Sequence, residues 1–109
     1  MATGIIKNNS ILFPDFSNVI ATASNSSGNK SYTATKKCWV YIVGYTASDS
    51  SPMNISIKIN NKYVATQYTS IRYLSVNTFL PLHAGDTITV ESDGIQNDFF
   101  SNYTVYGMK

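Results

Sequence analysis

Met53-Asn54-Ile55-Ser56-Ile57-Lys58-Ile59-Asn60-Asn61-Lys62-Tyr63-Val64-Ala65 is the stretch that decides the fold. Met53, Ile55, Ile57 and Ile59 alternate with Asn54, Ser56, Lys58 and Asn60. Successive side chains of a strand point to opposite faces, so this period of two describes a strand with one face buried. Asn60-Asn61 then reads as a two-residue turn, because Asn tolerates the positive φ such a turn demands, and Tyr63 and Ala65 open the return strand. Phe79 to Glu91 supports the same reading, with Ile88 and Val90 inward and Thr87 and Thr89 outward. An all-β chain of this size removes most enzyme families and turns attention to surface recognition.

Working outward, no window shows helical periodicity with caps, and turn clusters separate about eight short strands, the spacing of a sandwich or barrel. Cys38 to Tyr45 is the strongest strand, and both its faces, Trp39-Tyr41-Val43 and Val40-Ile42, are apolar. A monomeric two-layer sandwich leaves one face of each sheet wet, so something is expected to cover the second face, either a neighbouring subunit or a folded-over loop. Pro14-Asp15 is expected to split Ile11–Phe13 from Asn18–Ala21, and Ser24 to Asn29 to form a loop. Ser31 to Thr35 reads as an edge strand and Thr46 to Ser51 as a polar loop closed by Pro52. Asn77 is expected to break Ser70–Leu82 in two, and Pro81 to Asp86 to form a turn. Asn102 to Met108 closes the chain as a strand with Tyr103, Val105 and Gly107 on one face.

The 109 residues make one domain, 1–109, with residues 1–30 assignable either to it or to a preceding shaft. Charged residues are 13% of the chain, about half the usual share. Ser, Thr and Asn, with 14, 11 and 11 copies, make up a third of it. Such a hydroxyl and amide surface is common in proteins that work outside cells and in virion fibres, although strand and turn propensities favour the same residues. The net charge of +2, with its lysines scattered, lacks the basic stripe of a nucleic-acid binder, so no nucleic-acid partner is expected. Met1 to Lys7 has no signal-peptide hydrophobic region and no segment approaches membrane-spanning length. The expectation is no membrane insertion and no signal-peptide export: a virion component, or a piece of something longer. Cys38 is the lone cysteine, so no intrachain disulfide forms, and its place in an apolar strand makes it a small buried hydrophobe.

Catalytic chemistry finds little support, and the chain is expected not to be an enzyme. His83, the single histidine, lies beside Gly85 in a turn, and reads as a solvated turn residue. No second His or Cys stands at metal-ligand spacing, so no metal or other cofactor is expected. Asp49, Asp93 and Asp98 leave room for a loop calcium, but no EF-hand pattern is present. No nucleophile elbow and no Gly-rich phosphate cradle occur, and the acidic residues Asp86, Glu91 and Asp93 fall at strand ends. Five N-x-[ST] triplets, from Asn8, Asn25, Asn29, Asn54 and Asn102, carry little weight without a signal peptide.

Recognition remains. Eight tyrosines, Trp39 and loops of Ser and Asn give the palette of a paratope, rigid amphipathic rings beside adaptable hydrogen-bonding groups. Tyr45, Tyr68 and Tyr73 lie nearest to loops and are the candidate binding residues, with Asp49 and Arg72 as polar partners.

Residues 31–109 also carry a resemblance. Ser31-Tyr32-Thr33-Ala34 precedes an aromatic strand, Ile55 to Ala65 forms an Ile-Asn hairpin, and Leu80-Pro81-Leu82-His83-Ala84-Gly85-Asp86-Thr87 leads into Ile88-Thr89-Val90. Asn102-Tyr103-Thr104-Val105-Tyr106-Gly107 supplies an aromatic last strand. This order resembles the C-terminal head domains of bacteriophage tail fibres and related trimeric adhesive fibre tips. The Gly-Asp-Thr turn also recurs in complement-type and tumour-necrosis-factor-like trimeric heads, and Lys37-Cys38 stands where the fibre heads often carry a Gly. The resemblance implies an antiparallel jelly-roll-like β-sandwich, a homotrimer, and host attachment through distal loops to a cell-surface glycan or protein. It transfers no binding residues. The alternatives are a monomeric carbohydrate-binding module or lectin using Trp39 or exposed Tyr rings, and a small structural or capsid-decorating virion protein.

Overall fold

The computed structural model describes residues 13–46, 53–69, 75–93 and 98–109. They form eight strands: β1 (Pro14–Ser27), β2 (Lys30–Thr33), β3 (Cys38–Thr46), β4 (Met53–Ile59), β5 (Lys62–Thr69), β6 (Ser75–Leu82), β7 (Thr87–Ser92) and β8 (Phe99–Met108). Two four-stranded antiparallel sheets pack face to face, in the orders β1-β8-β3-β6 and β2-β7-β4-β5. Only β4 and β5 are consecutive strands paired in one sheet; every other connection among the eight strands crosses between the sheets. That interleaving is the jelly-roll arrangement.

The alternation read from the sequence builds the core. Ile55 and Ile57 of β4, Ile88 and Val90 of β7, Val40 and Ile42 of β3, and Phe99 and Val105 of β8 are all fully buried between the sheets. Asn60 and Asn61 turn the β4–β5 hairpin with φ of 52° and 68°, the doubly left-handed turn whose twist matches that of the strands. Gly85, φ 94°, takes the third place of the His83–Asp86 turn, where Asp86 N–H donates to His83 O at 3.1 Å. The two turns are tied together. Asn60 Nδ2 donates to Asp86 Oδ1 at 3.0 Å, and Asn60 Oδ1 accepts from the Thr87 N–H at 2.9 Å.

Four expectations are corrected. Pro14-Asp15 is not a break ahead of Asn18: both residues belong to β1, which runs from Pro14 to Ser27, while Ile11 and Leu12 of the expected preceding segment lie outside the described residues. The irregular register of β1 opposite β8 takes up the misfit, and a proline is tolerated at the first residue of an edge strand. Ser24 to Ser27 belong to that strand rather than to a loop, and the turn shrinks to Gly28 (φ 100°) and Asn29. Asn77 does not break β6; it lies opposite Val43 and points to solvent, where an amide costs nothing. Pro81 and Leu82 end β6 instead of starting the turn, because β6 is an edge strand whose missing proline donor is not needed.

Candidate functional site

Of the candidate binding residues, Asp49, Arg72 and Tyr73 lie outside the described residues. Tyr68 is described by its strand position alone, in β5 opposite Asn54. Tyr45 sits near the end of β3, in the other sheet. Tyr45 and Tyr68 are therefore not on one sheet. The Tyr45 hydroxyl accepts a hydrogen bond from Asn25 Nδ2 at 2.6 Å, and its ring stacks on Phe100 at 5.9 Å. Asn102 Nδ2 in turn donates to Asn25 Oδ1 at 3.1 Å, so Tyr45 anchors β1 to β3 and β8.

Two surfaces carry unusual side chains. The first is the outer face of β1-β8-β3-β6. Pairing sets Trp39 and Tyr41 of β3 beside Tyr106 and Thr104 of β8, and beside Pro81 and Phe79 of β6. Phe79 is the hub: its ring meets Trp39 at 4.9 Å, Phe16 at 5.8 Å, Tyr106 at 6.2 Å and Tyr41 at 6.4 Å. Phe16 also meets Tyr106 edge-on at 5.0 Å. The second apolar face expected on β3 is thus partly covered from within the chain, with Trp39 half-buried against Phe79. The cover is incomplete. Phe16 remains 62% exposed, Tyr41 39% and Phe79 38%, and Phe16, Tyr41, Phe79 and Tyr106 line a shallow recess of about 260 Å³. Val19 and Phe13 are exposed as well. Isolated exposed apolar residues need no explanation, but a contiguous cluster of exposed rings is a candidate interaction surface.

The second is a polar groove of about 460 Å³ on the outer face of β2-β7-β4-β5. Asn54, Ser56 and Lys58 are the outward residues of β4, and Glu91 is one of the outward residues of β7. Register brings Ser56 opposite Glu91 on one side and opposite Thr66 on the other. Lys58 Nζ pairs with Glu91 Oε1 at 2.6 Å and lies 4.8 Å from the centre of the Tyr63 ring. The bond to Glu91 raises the Lys58 ammonium above its ordinary range. Asp93 accepts from the Asn54 backbone N–H at 2.7 Å and from Asn54 Nδ2 at 2.9 Å, and these bonds, backbone first, hold its carboxyl below the usual range. Ser56 and Thr66 hydroxyls are 3.3 Å apart on the floor.

The remaining reactive groups have structural partners. His83 is exposed, and its backbone N–H donates to Asp86 Oδ2 at 2.9 Å. Cys38 is fully buried, and burial pushes its thiol up, with the Asp86 carboxylate adding to the effect. Lys30 Nζ lies 3.1 Å from Ser101 Oγ, a spacing that invites comparison with a Ser-Lys nucleophile. Ser101 is fully buried and donates to Gly28 O at 2.5 Å, while Lys30 Nζ also donates to Ser26 O at 2.9 Å, so the pair closes the β1–β2 turn. Burial lowers the Lys30 ammonium. Among the described residues, no group of three or more His, Cys, Asp and Glu could hold a metal ion, and no helix is long and apolar enough to cross a membrane.

Sequence reading missed Phe16, Phe79 and Tyr106 as one cluster, and Lys58, Tyr63, Glu91 and Asp93 as another. The alternation of Asn54-Ser56-Lys58 and of Thr87-Thr89-Glu91 already put these residues outward. What it could not supply is that β4 pairs with β7, across 29 to 37 residues of chain, at the register Ile55–Ser92 to Ile59–Ile88.

Two solved structures can be set beside this architecture. The fold is similar to that of rabbit GITRL, at 14% identity and a TM-score of 0.55, over 80% of this chain and 75% of that one. A family 35 carbohydrate binding module from Clostridium thermocellum aligns over 88% of this chain and 85% of its own, at 14% identity and a TM-score of 0.43. No protein-family model and no curated protein matches the chain.

Proposed function

We propose that this chain is a non-catalytic, homotrimeric receptor-binding head of the bacteriophage tail-fibre type, which attaches a fibre to a cell-surface glycan or protein. The observation that carries this reading is the ring cluster on the β1-β8-β3-β6 sheet. Phe16, Tyr41 and Phe79 leave large apolar areas in water, which a second and third copy would cover by closed symmetric packing. Interfaces between copies are enriched in such aromatic residues and poor in charge at their centre, and among the described residues the recess that these three rings form with Tyr106 has no charged lining residue. Trimerisation would also place three receptor sites on one particle, so that weak individual contacts add through avidity. The resemblance of residues 31–109 to fibre heads points the same way.

Sedimentation of the purified chain at micromolar concentration tests the reading, with a trimer expected. Phe79→Ser removes the hub of the cluster from an exposed position and is expected to give folded monomers. A wild-type chain that sediments as a monomer overturns the trimeric head and leaves the monomeric glycan-binding alternative, which the polar groove favours.

A further inference from the structure

We propose that the groove on the outer face of the β2-β7-β4-β5 sheet is a binding site for a neutral saccharide. The assignment rests on the reading of this domain as a recognition module, and is independent of its being a trimer.

A saccharide presents two kinds of surface, an apolar C–H face and a rim of hydroxyls that both donate and accept. The groove matches both. Tyr63, at the β5 edge, is 67% exposed and offers a rigid ring to the C–H face. Beside it stand the Glu91 and Asp93 carboxylates as acceptors, the Asn54 amide and Thr66 hydroxyl as donors and acceptors, and the Lys58 ammonium as a donor. A carboxylate has roughly four acceptor sites. The Asn54 bonds occupy two of those on Asp93, and the remaining sites suit vicinal hydroxyls.

The groove is also organised in advance. Lys58 is fixed by Glu91 at 2.6 Å and Asn54 by Asp93 at 2.9 Å, so binding a ligand does not require ordering free side chains. Its volume, about 460 Å³, falls within the range of small-ligand sites, and each described residue that lines it carries a polar group, where those sites are lined mostly by apolar side chains, as a hydroxyl-rich ligand requires. Charge narrows the class further. Among the described residues, two carboxylates face one ammonium that is already paired, so uronates, sialylated glycans and phosphates meet net repulsion. The ring-lined recess on the opposite sheet has, among the described residues, no charged group to orient hydroxyls, and it does not compete for this role.

Three measurements test the proposal. An array of glycans ending in neutral hexoses or N-acetylhexosamines, beside sialylated and uronate-ended ones, is expected to show binding to a subset of the neutral set only. Saturation-transfer NMR with the methyl glycosides of the best termini reads the single site without avidity. Tyr63→Ala and Glu91→Gln, both at exposed or half-exposed positions, are expected to weaken that binding about tenfold or more while circular dichroism shows an unchanged fold. Binding confined to acidic glycans, binding unaltered in both variants, or no neutral ligand at all would each overturn the site. So would attachment to cells that survives periodate treatment of their glycans and is abolished by protease. A monomeric chain that still shows the NMR signal refutes the trimeric head and leaves the groove standing; a trimer without it does the reverse.

Discussion

Gly44 shows how tightly single residues are held in this thin sandwich. A Cβ there would lie 2.7 Å from Val90 Cγ2 and 2.8 Å from a Phe99 ring carbon, so β3 touches the core of the opposite sheet through a bare backbone. Val90 and Phe99 are themselves fully buried and cannot swing aside. Gly44→Ala is therefore expected to destabilise the fold by about 1–3 kcal/mol through overpacking, read as a lower urea midpoint at unchanged slope. Cys38 gives a second test at this scale. Its fully buried thiol, pushed up by burial, is expected to resist alkylation by iodoacetamide at neutral pH in the native protein and to react rapidly in urea. Rapid labelling without denaturant would mean that the β3 side of the core opens to solvent.

At the level of elements, the hairpin tip and the β6–β7 turn form one clasp. Asn60 donates to Asp86, and this bond, ahead of the His83 backbone N–H, keeps the Asp86 carboxyl below its usual range. Asp93 is depressed in the same direction by Asn54. A carboxyl whose folded pKa is depressed stabilises the fold fully above its unfolded pKa, and that contribution disappears as pH falls through the folded value. The urea midpoint is thus expected to be level down to about pH 5 and to fall below about pH 4. Asn60→Gly keeps the positive φ of the turn but removes the amide donor, and is expected to flatten part of that acid slope. An unchanged slope would show that the clasp does not couple to protonation. The hairpin itself was legible, because the Met53–Ile59 alternation and the Asn pair are local signals. The errors at Pro14, Asn77 and Pro81 share a cause: each is a breaker by local propensity, yet lies in an edge strand where the sheet tolerates it. Edge position is a property of the assembled sheet, and no window of sequence contains it. For the same reason the site was only half legible. Tyr45, a candidate for its nearness to a loop, is tied into the Asn25–Asn102 network, whereas Tyr63 and Glu91 become neighbours only through β4.

Across the whole molecule, the two sheets differ in what they present. One carries rings on its outer side and the other carries paired charges and amides, so the proposed self-association and the proposed ligand capture need not interfere. Loss of the trimer in Phe79→Ser is accordingly expected to leave the groove's single-site affinity unchanged while weakening attachment to intact cells, where avidity counts. The ring-bearing sheet is bounded by β1 and β6, and each of these border strands carries a proline, Pro14 and Pro81. A proline has no N–H to offer an incoming strand. Sideways zippering into an endless ribbon is thereby discouraged on the sheet with the most to gain from sticking, which suits the proposed closed particle better than a fibril.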